Sequence, residues 1–95
     1  MGEYAKKIPM DPAGFTKRCE FHISYEAEKK RCGKAVYRII DPNGEATPIY
    51  HRYDTHQTQG YNAYRVDGCD ADFKKWPEVA AKWNELLAAK EVANG

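Results

Sequence analysis

Two of the three cysteines and all three histidines of this 95-residue chain fall between positions 19 and 56. They stand as Cys19–Glu20–Phe21–His22, Arg31–Cys32–Gly33, Tyr50–His51 and His56. Zinc takes this mixture of thiolate and imidazole ligands, usually four to a structural site. The residues therefore point to one structural zinc ion, with Cys19, His22, Cys32, His51 and His56 as candidate ligands. A glycine after Cys32 would let backbone N–H groups turn toward the sulfur. Lys30, Arg31 and Lys34 would favour its thiolate. Five candidates for four places leave at least one bystander. A metal-free domain would instead pack Cys19 and Cys32 as small apolar groups and leave the histidines at the surface. A Cys19–Cys32 disulfide is a third use of the same pair. Cys69, beside Asp70 and Asp72, stands apart as a packed or free thiol.

Catalysis has thinner support. A catalytic zinc needs an open position and a base, and Glu20 is the only carboxylate inside the cluster. A Cys32 nucleophile with His51 or His56 can be drawn, but no nucleophile motif surrounds it. The expectation is a protein that is not an enzyme.

The elements that must position these residues read as a small α+β domain. Residues 19–25 alternate, with Cys19, Phe21, Ile23 and Tyr25 on one side and Glu20, His22 and Ser24 on the other, so a strand is predicted. Glu26 to Arg31 is a charged connection. Ala35 to Ile40 is rich in β-formers. In Asp41–Pro42–Asn43–Gly44, proline pre-sets the turn and glycine supplies the positive φ that closes a hairpin. Ala46 to Tyr53 returns, giving a central hairpin over about 35–53. Pro48 cannot donate to a ladder, which places it at an edge or a bulge. If Asp41 pairs with Glu45, His51 faces Ala35 and shares a face with Tyr37 and Ile49, while Cys32 has the opposite parity. Cys19 and His22 also fall on opposite faces of a regular strand.

Residues 54–61 form a polar loop, and Asn62 to Val66 a fourth short strand. Asp70 or Asp72 can cap a helix over about 73–92, in which Trp76, Val79, Trp83 and Leu87 recur at helical spacing. Phe73–Trp76 can form a separate turn before Pro77, which suits a first helical turn. The expected architecture is a sheet of three or four antiparallel strands with this helix packed on it. Residues 1–16, with Pro9, Pro12 and Gly14, read as an irregular lead-in that could be mobile. The whole chain is sized for one domain.

The order of a cysteine, a Cys–Gly, the strand Ala35–Val36–Tyr37–Arg38–Ile39 and a ligand-bearing return strand resembles short bacterial zinc-ribbon-like or treble-clef-like domains. The resemblance covers residues 19–56 and implies a structural metal. It departs from those domains in having no C-x2-C pair: the close pairs are Cys19 with His22 and His51 with His56.

Hydrophobic content is 42%, charged content 31%, and seven tyrosines are present; this excludes disorder by composition. No apolar run is long enough to span a bilayer. The first residues lack an apolar signal core, and Lys6 breaks a myristoylation pattern. With an odd cysteine count, these features point to the cytoplasm.

Net charge is +1, against what a dedicated nucleic-acid binder carries. The expected function is a protein–protein interaction module: an adaptor, regulator or inhibitor. Tyr50, Arg52, Tyr53, Tyr61, Tyr64 and Arg65 are the candidate partner-binding residues, since Tyr and Arg are favoured at interfaces. The same aromatic–basic interleaving would let a sheet face stack on bases, so a nucleic-acid-binding domain is the alternative.

Overall fold

A computed structural model of the chain describes residues 4–27, 30–54 and 61–94. Four strands run in chain order, β1 Thr16–Ala27, β2 Lys30–Ile40, β3 Ala46–Asp54 and β4 Tyr61–Val66, followed by helix α1 Trp76–Asn94. The strands form one antiparallel meander, β1-β2-β3-β4. The expected small α+β fold with a C-terminal helix on an antiparallel sheet is therefore the observed one. The first two strands run further than the alternation suggested, to Ala27 and from Lys30, through residues that read as a connection. This long hairpin draws the molecule out to 55 × 25 × 24 Å.

The turn behaves as its residues require. Gly44 has φ +85°, its N–H bonds Asp41 O at 2.9 Å, and Asp41 N–H bonds Glu45 O at 2.9 Å. The Asp41 carboxylate organises the rest: Oδ1 accepts the N–H groups of Asn43 and Glu45, and Oδ2 accepts the Tyr4 hydroxyl at 3.0 Å. Burial alone would raise this carboxyl's pKa, but these donors and Lys6 hold it below the ordinary value.

Two bulges correct the expected registers. Ile40 pairs with Ala46, yet Arg38 pairs with Tyr50, so Ile39 alone faces Thr47, Pro48 and Ile49. Pro48 has no N–H to give a ladder. Thr47 makes good the loss: its hydroxyl donates to Ile39 O at 2.8 Å and accepts from Ile49 N–H at 3.2 Å. His51 consequently faces Tyr37 rather than Ala35. On β1 the register shifts between Cys19 and Phe21, leaving Glu20 as an extra residue. An extra residue reverses the alternation. Cys19 thus leaves the side of Phe21 and Ile23 and joins that of His22.

One face of the sheet carries Ile39, Ile49 and Val66, and α1 covers it with Trp76, Val79, Ala80, Trp83 and Leu87. The helix begins at Trp76; Phe73 stands outside it, bridging Tyr64 on β4. Asp72, a candidate cap, instead meets Arg65.

Residues 4–15 form neither strand nor helix, but they strap the helix to the sheet. The indole N–H groups of Trp76 and Trp83 donate to Pro9 O and Lys6 O at 2.9 and 2.8 Å. Asn84 bonds both backbone groups of Ile8 at 2.8 Å. Tyr4 and Ile8 enter the core beside them.

Candidate binding surface

The register sorts the candidate residues onto two faces. Cys19, Tyr37, His51 and Tyr64 form one cross-strand row on the helix-covered face, with His22, Ala35, Tyr53 and Asn62 in the next. Arg18, Arg38, Tyr50 and Arg65 form a row on the opposite, open face, next to Phe21, Val36, Arg52 and Ala63.

On the covered face, His51 lies beyond the helix start and is 7% exposed. It stacks on Tyr64 with ring centroids 4.1 Å apart and tilts against Tyr53 at 4.3 Å. Lys17 Nζ donates to His51 Nδ1 at 2.9 Å and to the Tyr53 hydroxyl at 2.8 Å. An ammonium is only a donor, so Nδ1 is the unprotonated nitrogen. Nε2 then carries the proton. Burial first, then the Lys17 charge, push the imidazole pKa down to about 4. Tyr64 also meets Trp76 edge-on at 5.8 Å, which anchors the cluster to the core. Tyr53 and Tyr64, both expected at a partner interface, are thus engaged in internal packing.

The register sets Cys19, His22 and His51 on the covered face and Cys32 further along β2. Cys19 and His51 share a row but stand two strands apart, about 10 Å. Cys19 and His22 lie about 10 Å apart along β1. Cys32 faces Tyr25, five positions along β2 from the partner of Cys19, roughly 16 Å away. That separation is beyond a disulfide and beyond two sulfurs on one zinc. Cys19 is a free, exposed thiol and Cys69 a free, half-buried one. Among the described residues, no three His, Cys, Asp or Glu side chains converge on a point, and the His51 nitrogen with a lone pair faces an ammonium. His56, the loop 55–60 and the side chains of Cys32 and Tyr61 lie outside the described residues.

The open face holds an organised row. Arg38 bonds Glu20 at 3.0 Å, Asp67 at 2.9 Å and Thr47 O at 3.2 Å, and its guanidinium sits 5.4 Å over the Tyr50 ring. Arg65 is bonded to Asp72, whose carboxylate raises its pKa above the ordinary value. Lys34 approaches Asp54 at 4.0 Å. Beside the row, Phe21 and Ile23 are 50% and 46% exposed.

Sequence reasoning named Tyr50, Arg52 and Arg65 but missed Arg38, Phe21 and Ile23. Alternation around Tyr37 and Ile39, one inward and one inward again, would have turned Arg38 outward. Phe21 and Ile23 needed the bulge at Glu20.

No protein-family model, no curated protein and no solved structure matches this chain. No helix among the described residues is long and apolar enough to cross a membrane.

Proposed function

We propose that this protein is a protein-interaction module that presents the open sheet face, centred on Tyr50, to another protein. One observation carries the reading: the two cations that flank Tyr50 are already matched by carboxylates. Arg38 is held by Glu20 and Asp67, and Arg65 by Asp72. Phosphate recognition draws on cations that exchange counterions for phosphates. Here they buttress an aromatic ring instead. A tyrosine held under the Arg38 guanidinium, with Arg65 its cross-strand neighbour, loses little side-chain freedom on binding, which favours association. Exposed apolar groups at Phe21 and Ile23, rimmed by charge, are the composition of a protein contact. The nucleic-acid alternative rests on the same Tyr–Arg row and predicts the opposite salt behaviour.

The test is a photo-cross-linking residue placed at Arg52, on the open face, and at Glu85, on the exposed helix surface, in a native extract. Position 52 should capture a discrete protein that position 85 does not. Tyr50→Ala should then weaken that complex by about 2 kcal/mol, roughly thirtyfold in Kd. Identical capture at both positions sinks the reading. So does tight, steeply salt-dependent binding to single-stranded RNA or DNA that Tyr50→Ala abolishes.

A further inference from the structure

The two edges of the sheet differ. Beside β4, Phe73 exchanges backbone hydrogen bonds with Tyr64, at 2.7 and 2.9 Å, and closes part of that edge. At the other edge β1 is paired, among the described residues, only along β2. It is 12 residues long, contains no proline, and is exposed at every position from Thr16 to Ile23. Two of its residues, Phe21 and Ile23, are among the three large apolar side chains exposed in the described molecule. A long edge strand with apolar groups is a template for another strand.

We propose that β1 pairs antiparallel with β1 of a second copy, joining two four-stranded sheets into one continuous sheet about a two-fold axis.

The apolar side chains select the register. With the axis at His22, Phe21 of each copy faces Ile23 of the other, and both pairs lie on the open face. An axis at Phe21 puts Ile23 against the bulge at Cys19 and Glu20. An axis at Ile23 puts Phe21 against Tyr25. The His22 axis pairs the two exposed groups with one another, away from the bulge. The interface shares Phe21 and Ile23 with the proposed partner face but not the Tyr50 row, so self-association is measured without any partner and Tyr50→Ala should leave it unchanged.

Sedimentation velocity of the full chain, run up to sub-millimolar concentration, is the test. A concentration-dependent monomer–dimer equilibrium is expected. Phe21→Lys with Ile23→Lys places like charges across the axis and should raise the dissociation constant by about tenfold or more. Both positions are exposed, and circular dichroism checks that the fold is kept. In a chain with its cysteines replaced by serine, His22→Cys should oxidise to a covalent dimer and Arg18→Cys should not. A wild-type chain that stays monomeric throughout overturns the proposal. A dimer unchanged by the double lysine variant, or one that cross-links through position 18 rather than 22, overturns it equally.

Discussion

His51 shows how one side chain's surroundings decide its chemistry. Its ring is stacked on Tyr64, its Nδ1 is bonded to an ammonium, and its pKa is pushed down to about 4. In the unfolded chain the same imidazole titrates near 6.5. Above that pH neither state binds the proton. Between about 6.5 and 4 the unfolded state takes a proton that the native state refuses, so stability falls as pH falls. The loss should reach about 2–3 kcal/mol near pH 4. Urea midpoints measured at pH 7 and pH 4.5 should therefore differ, and His51→Phe, which keeps the stack, should remove most of that difference. An equal fall in the variant would refute this assignment. A histidine in a Cys/His-rich segment reads as a ligand. Only the neighbour Lys17, 34 residues away, reveals it as an acceptor.

At the scale of elements, the strap over residues 4–9 is the least legible part of the fold. Its prolines read as irregular, and they are. Nothing local announces that Ile8 is buried or that Asn84 bonds its backbone, because these groups are 76 residues apart. Asn84→Ala leaves a buried N–H and C=O of Ile8 without partners, which should cost about 1–3 kcal/mol. It should also make the first residues cleavable by protease while the sheet stays protected. Unchanged stability and unchanged cleavage would show the strap to be incidental. The hairpin turn is the contrasting case. Asp41, Pro42, Asn43 and Gly44 carry their geometry in their own backbone preferences, so that turn was legible. The bulges were not, since an extra residue is defined only against its partner strand. Pro48 gave half of one away; Glu20 gave nothing.

Taken whole, the molecule is uneven. The β3–β4 half lies under the helix, with Ile49 and Val66 fully buried, while Phe21 and Ile23 on β1 are half exposed. Stability should follow the same gradient. Amide protons at Ile49 and Val66 should exchange only through global unfolding. Those joining Phe21–Ile23 to Lys34–Val36 should exchange through a local opening, and should slow as protein concentration rises if β1 pairs with its copy. Uniform protection across the sheet would contradict this picture.

By itself the sequence determined the class of fold, the hairpin turn and the apolar stripe of the helix. Each is a local or periodic property: a dihedral preference, or a repeat of two or 3.6 residues. It also named Tyr50, Arg52 and Arg65 as candidate binding residues by type. The tertiary structure alone decided which of the described tyrosines pack internally. One residue of bulge at Glu20 and two at Thr47–Pro48 reset which side chains share a row. That resetting draws Tyr53 and Tyr64 into the His51 cluster and leaves Tyr50 between Arg38 and Arg65 on the open face. It also sets Cys19, His22 and His51 on one face and leaves Cys32 further along β2, because position along a strand becomes proximity only after the partner strand has fixed the register.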